Sequence, residues 1–91
     1  MAVVRWSAAA DRDLDRIDAF LDRIDPLLAL AAALAIRDRV RLLLDNPAIG
    51  SPLPGGRRKI NERRFGYVIT FRHSGEILTI LRIRHAREDW R

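Results

Sequence analysis

The sequence has 91 residues, a formal net charge of +5, 48% hydrophobic residues and no cysteine. This length fits one small domain, residues 1–91, and the hydrophobic content excludes a disordered charged tail. The longest apolar run covers residues 26–36, which is well short of the ~20 residues that cross a bilayer. With no signal-peptide pattern, no cysteine ligands and only two histidines, we expect a cytoplasmic protein without membrane contact, metal or cofactor.

The positive charge is concentrated in the second part of the chain. Residues 1–56 contain 7 Lys and Arg against 8 Asp and Glu, whereas residues 57–91 contain 10 against 4. Such asymmetry indicates an acidic partner, either nucleic acid or an enzyme that acts on it. A basic surface that serves only solubility explains the charge equally well.

The first predicted elements are a short strand and an amphipathic helix. Residues 2–6 include two β-branched side chains and one aromatic side chain, and Ser7 is a good helix N-cap. A helix with a solvated acidic face is then predicted by an apolar stripe in steps of four and three, formed by Ala10, Leu14, Ile17, Leu21 and Ile24. Asp25-Pro26 ends this helix and begins a second, because aspartate caps well and proline fits the first helical position. The two helices are expected to form an antiparallel hairpin.

The second helix is predicted to run to about Asp45, and its first part has no polar residue between Leu27 and Ile36. One explanation is an ordinary surface covered by alanines, which tolerate solvent. The other is a groove that a partner helix fills. On the second reading, the residues that contact the partner are Leu27, Leu30, Leu34 and Ile36.

The next segment is predicted to be a loop followed by two strands. Residues 46–56 contain three prolines and three glycines, which marks a loop. Residues 57–64 have Ile60 as their only apolar side chain and indicate an edge strand protected by charge. Phe65-Gly66 allows a hairpin turn into an alternating strand over residues 67–72, and residues 73–76 turn again.

The last predicted strand covers residues 77–84. Ile77, Thr79, Leu81 and Ile83 are expected on one face. Leu78 and Ile80 make the first half of the other face apolar, before Arg82 and Arg84 make it basic, so the strand should be central in its sheet. Its end brings several side chains to one edge of the molecule, which we expect to contact a target: Arg82, Arg84, His85, Arg87 and Trp90. The order β-α-α-β-β-β predicts an α+β domain, with a helical hairpin packed on a mainly antiparallel four-stranded sheet.

Three sequence features and the element order resemble the ParE/RelE superfamily of toxins from bacterial toxin–antitoxin pairs, and more closely its ParE branch. These features are Asn46-Pro47 with Gly50, Phe65-Gly66-Tyr67, and the segment 80–90. The resemblance covers essentially the whole chain. It implies a toxin that a cognate, ParD-like antitoxin neutralises, with DNA bound only by the toxin–antitoxin complex. ParE-like members poison DNA gyrase, whereas RelE-like members cleave mRNA on the ribosome with basic groups and a Tyr or His near the scissile phosphate.

The sequence departs from the nuclease pattern at two basic positions. Lys59 matches one of them, but Asn61 and Val68 stand where typical nucleases have cations. A RelE-like mechanism would have to use Lys59, Arg63, Arg64 and His85 as its catalytic residues. Because loss of one preorganised donor typically costs on the order of 100-fold to 1000-fold in rate, we expect gyrase inhibition rather than enzyme activity.

Simpler explanations apply to the same residues. His85 fits a strand end bonded to the backbone, and the arginines near it fit a solvated basic face. Trp6 and Trp90 are suitable for filling the core at the rim of the sheet. A non-toxic nucleic-acid-binding module is a further alternative, although neither helix has the basic character of a recognition helix.

Overall fold

The chain folds as two helices packed on a five-stranded mixed sheet. The computed structural model describes residues 3–87, and its elements are β1 (Val3–Trp6), α1 (Ala8–Asp22), α2 (Pro26–Asp45), β2 (Ser51–Leu53), a 3-10 turn (Pro54–Gly56), β3 (Arg57–Glu62), β4 (Tyr67–Ser74) and β5 (Ile77–His85). The strand order is β1-β5-β4-β3-β2, with β1 parallel to β5 and all other neighbours antiparallel. The α+β class is confirmed. Neither helix in the described residues has the length and apolar character that a membrane span requires.

Both predicted helix starts are confirmed by their capping bonds. The Ser7 hydroxyl accepts the N–H of Ala10 at 3.0 Å, and the Asp25 carboxylate accepts the N–H of Leu27 at 2.9 Å. Helix α2 ends at Asp45, as predicted, but α1 ends at Asp22. Ile24 therefore lies beyond the helix and is 63% exposed, so its placement on the buried stripe was wrong.

The predicted four-stranded sheet has one more strand, which lies inside the predicted loop. Residues Ser51–Leu53 pair with Arg57–Lys59 of β3. The guanidinium of Arg58 donates to the carbonyls of Ala48 and Gly50, at 2.9 and 2.8 Å, and so fixes the loop against the sheet. Three residues that include a proline give no alternating pattern, so only these tertiary contacts identify the strand.

A bulge in β5 changes which of its side chains face the helices. Strand β5 lies between β1 and β4, which confirms an interior strand. The register with β4 moves from Thr70 opposite Arg82 to Phe71 opposite Ile80, so no residue of β4 lies opposite Leu81. The buried positions are accordingly Leu78, Ile80 and Ile83, and the expected single face of Ile77, Thr79, Leu81 and Ile83 is wrong. The core is formed by these residues together with Ile69 and Phe71 of β4 and Ile36, Val40 and Leu43 of α2.

Candidate functional site

The structure places four of the five expected target-contacting residues at the end of β5. Arg82, Arg84 and His85 are half-buried, and Arg87 is exposed just after the strand. Trp90, the fifth, lies outside the described residues. We refer to Arg84, His85 and Arg87 as the basic edge and describe Arg82 separately, because Arg82 binds a buried carboxylate of α1.

Arg82 is bound to a buried carboxylate on the first helix. Its Nε donates to Oδ2 of Asp13 at 2.9 Å and its Nη2 donates to Oδ1 at 3.2 Å. The N–H of Ile83 donates to the same Oδ2 at 2.8 Å, and Arg16 adds a contact to Oδ1 at 3.3 Å. This carboxylate therefore joins α1 to β5, next to the bulge, and holds the end of β5 in position.

Burial and hydrogen bonding act in opposite directions on Asp13. Its 2% exposure disfavours the charged carboxylate and so raises the pKa. The hydrogen bonds from Arg82 and Ile83, together with the positive charges of Arg82 and Arg16, outweigh burial and hold the pKa of Asp13 below its ordinary value. The carboxylate is thus charged at neutral pH, and its charge is matched within the fold.

Sequence reasoning did not single out Asp13 or the second buried acid, Glu62. Asp13 follows Ala10 by three residues and precedes Ile17 by four, so it lies on the buried stripe of α1, and this spacing was the available signal. Glu62 is 3% exposed and accepts the N–H groups of Arg64 at 2.7 Å and Phe65 at 3.1 Å. It therefore caps the turn between β3 and β4, and nothing in the local sequence distinguished it from a solvated strand residue.

The imidazole of His85 is held in place by three neighbours. Its Nδ1 accepts the N–H of Arg87 at 3.1 Å, and its ring meets the ring of Tyr67 edge to face, with the centroids 5.4 Å apart. Gly66 has a φ of +85°, and a Cβ there would lie 3.0 Å from Nε2 of His85. Glycine at position 66 therefore permits the positive φ of the turn and also leaves room for the His85 ring. Together with Tyr67 and residues of α1, His85 lines an apolar groove of about 420 Å³.

The four residues that a nuclease mechanism would use are not brought to one point. One cleft on the outer face of the sheet is lined by Lys59, Asn61, Val68 and Thr70. His85 is paired with Tyr67, whose side chain belongs to the core beneath α1. Because alternate residues of a strand point to opposite faces, Lys59 and His85 lie on different sides of the sheet. Arg63 and Arg64 lie in the turn after β3, where Arg64 stacks on Phe65.

The helical hairpin exposes a row of large apolar side chains, which we call the apolar row. Leu27, Leu30 and Leu34 are 74%, 56% and 54% exposed, and their spacing places them on one face of α2. Phe20 and Ile24 are exposed in the preceding part of the hairpin. The explanation that alanines cover the exposed side of this run is therefore wrong, since the leucines themselves face solvent.

Ile36 does not belong to the apolar row. Its side chain has 0% exposure and packs in the core between α2 and the sheet. The prediction that Ile36 contacts a partner was therefore wrong, because a residue without accessible surface cannot do so while the fold is intact. Position 36 falls on the core face because it follows the buried Ala29 and Ala32 by seven and four residues.

Comparison with known proteins identifies the family to which this chain belongs. The family model described as the ParE toxin of the type II toxin–antitoxin system parDE matches residues 4–90. The Sinorhizobium fredii protein Y4kP, whose description proposes a toxin, is 33% identical over 91 residues, which is 96% of this chain and 91% of the relative. A chain from the chromosomal ParDE toxin–antitoxin system of P. aeruginosa superposes with a TM-score of 0.81 at 32% identity, covering 96% of this chain and 98% of that one.

Two further solved structures share the fold at lower identity. A chain from the intact E. coli RelBE toxin–antitoxin complex has a TM-score of 0.66 at 14% identity, covering 97% of this chain and all of that one. The YoeB/ParE toxin from Agrobacterium tumefaciens has a TM-score of 0.65 at 21% identity, covering 93% of this chain and 98% of that one. At these identities the likeness concerns the fold alone.

Proposed function

The chain belongs to the ParE toxin family of type II toxin–antitoxin systems, and from this premise we propose that it inhibits DNA gyrase and is neutralised by a cognate, ParD-like antitoxin. The basic edge is the proposed gyrase-contacting surface, with Trp90 of the following segment as a further contact. Arg82 supports this surface by fixing the end of β5 to α1 through Asp13.

The observation that carries this proposal is the separation of Lys59 from His85 across the sheet. Metal-free cleavage of a phosphodiester needs a proton carrier and several cations within hydrogen-bond reach of one phosphate. Here Lys59 lines the outer cleft beside Asn61 and Val68, while His85 lies on the helix side against Tyr67. Gyrase poisoning needs no such convergence, because a binding surface is sufficient.

Two assays run on the same purified protein test the proposal. We expect inhibition of gyrase supercoiling, or accumulation of gyrase-cleaved DNA, and no cleavage of mRNA on translating ribosomes. Codon-spaced mRNA cuts with gyrase unaffected would overturn the assignment in favour of the RelE-like mechanism. Lys59 and His85 would then be the first residues to substitute.

The apolar row is the proposed docking surface for the antitoxin. Three leucines in one line along a helix suit an amphipathic partner segment, which would bury its own apolar face against them. The solved relative from P. aeruginosa comes from a ParDE toxin–antitoxin system, so its toxin has an antitoxin partner. For this chain, neutralisation by the product of a neighbouring reading frame, measured as rescue of bacterial growth, tests the antitoxin proposal separately from the gyrase proposal.

A further inference from the structure

Helix α1 sorts its exposed charges onto two separate faces. Four exposed aspartates recur in steps of four and three and so form one stripe: Asp11, Asp15, Asp18 and Asp22. The exposed arginines of this helix, Arg12 and Arg16, and Arg23 at its C-cap lie on another face, and the last two line the groove beside His85. We call the four aspartates the acidic stripe.

The acidic stripe has no counter-charge within residues 3–87. There, ion pairs engage Asp13 and Asp38, whereas neither a hydrogen bond nor an ion pair engages a carboxylate of the stripe. Like charges three and four residues apart on a helix repel one another, so the stripe slightly lowers the stability of α1. A cationic group placed beside the stripe would relieve this repulsion.

A groove between the two helices brings the acidic stripe next to the apolar row. The groove has a volume of about 490 Å³. It is lined by residues of both helices: Asp11, Leu14, Asp15, Asp18, Ala33 and Arg37. Because Ala33 follows Leu30 by three residues and directly precedes Leu34, the side of the groove formed by α2 borders the apolar row. The surface of the hairpin is therefore anionic along α1 and apolar along the first half of α2.

The two features together specify a partner more closely than either does alone. The acidic stripe without the leucines would be an ordinary solvated helix face, and the leucines without the stripe would accept any amphipathic helix. A helix that buries its apolar side against the row places one of its flanks beside the carboxylates of α1. Lysine or arginine on that flank would meet opposite charges, whereas aspartate or glutamate would meet like charges.

We propose that the hairpin selects an antitoxin helix that carries lysine or arginine along one flank of its apolar stripe. This inference rests on the proposed docking of an antitoxin to the apolar row, and it adds the charge by which a cognate partner is distinguished. The selection runs against the formal net charge of +5, which by itself would attract an acidic partner. Local and overall charge therefore predict opposite preferences.

Two designed amphipathic peptides of about 20 residues, long enough to form a helix, are the probes. They share one leucine stripe, and one peptide has lysine along a flank where the other has glutamate. Their affinities are measured by fluorescence anisotropy at about 50 mM and about 300 mM salt, because salt screens exposed charges. The acid variant is Asp15→Asn with Asp18→Asn, and the control is Asp45→Asn with Glu76→Gln, which changes the net charge equally at exposed positions outside the groove lining. Circular dichroism checks both folds.

We expect the wild type to prefer the lysine peptide by roughly tenfold at low salt, and this preference to fall to about twofold in the acid variant and at high salt. The control should keep the preference of the wild type. Equal affinity of the wild type for the two peptides, or an equal loss of preference in the acid variant and the control, would overturn the inference.

The product of the neighbouring reading frame separates this inference from the docking proposal. We expect it to bind the acid variant roughly tenfold more weakly than the wild type. Full affinity for the acid variant, together with a loss of affinity for Leu30→Asp, would overturn selection by charge and leave the docking surface in place. Full affinity for both variants would overturn the docking surface and this inference with it.

Discussion

At the residue scale, Asp13 connects folding to the candidate target surface. A buried carboxylate is costly unless donors surround it, and here Arg82, Ile83 and Arg16 all contribute. The same contacts fix the strand segment next to the bulge, from which the basic edge extends. Arg82 is therefore better described as a positioning residue than as a freely solvated contact.

Asp13→Ala should destabilise the fold by roughly 3 kcal/mol, because it removes the acceptor of the Ile83 N–H and of the Arg82 Nε–H. Since the folded pKa of Asp13 is lowered, its contribution to stability is complete above about pH 4, the ordinary aspartate range, and is lost as pH falls through the lower folded value. Urea unfolding at pH 7 and at pH 3 measures both effects.

The matched control for this prediction is Asp15→Ala, an exposed aspartate on the same helix, which should change the free energy of unfolding by less than about 0.5 kcal/mol. The Asp13 variant should also lose less stability than the wild type between pH 7 and pH 3. An unchanged pH dependence would show that the ion pair contributes little.

At the element scale, the helical hairpin has two distinct faces. Buried alanines and Ile36 face the sheet, while the leucines of the apolar row face solvent three and four residues apart. The exposed part of such a row adds little to the stability of the isolated chain, and burial by a partner would recover about 25 cal/mol for each Å² of apolar surface removed from water.

Leu30→Asp and Leu34→Asp, tested singly, should each weaken the antitoxin complex by a few kcal/mol, because a carboxylate would be buried without a partner. Both positions are more than half exposed, so the free toxin should keep its stability. Calorimetric titration with the antitoxin measures the effect. Val3→Asp, at an exposed apolar position on β1, is the control, and unchanged affinity in both leucine variants would exclude the apolar row.

At the scale of the whole molecule, the candidate surfaces occupy different parts of the fold. The apolar row lies on the hairpin, and the basic edge lies at the end of β5. A small domain gains this separation because the mixed sheet places β5 between β1 and β4, while β3 and β2 complete the other side. The two surfaces proposed for the antitoxin and for the target can therefore be substituted separately.

Arg84→Gln combined with Arg87→Gln should reduce growth arrest in a bacterial host at least tenfold, measured as surviving colonies, because arginine contacts with a target are not replaced by glutamine. The same variant should bind the antitoxin with wild-type affinity. Full toxicity at equal protein levels would place the target surface elsewhere, and a parallel loss of antitoxin binding would show that the two surfaces are not independent.

The sequence alone determined the class of fold and the starts of both helices, because these starts depend on local chemistry. Ser7, Asp25 and Pro26 act within one turn of the chain, so the helix starts followed from residue type. The same local patterns identified β5 as an interior strand and carried the resemblance to the ParE/RelE superfamily, which the family match confirms. The leucines of the apolar row were found in the same way, from an uninterrupted apolar run.

Only the tertiary structure decided which side of an element each residue faces and which charges are matched. The bulge at Leu81 reverses the inward face of β5, β2 forms through contacts with β3, and Asp13 meets Arg82 across 69 positions of sequence. The separation of Lys59 from His85 is likewise set by packing. These features depend on register and long-range pairing, which residue types and periodicity do not specify.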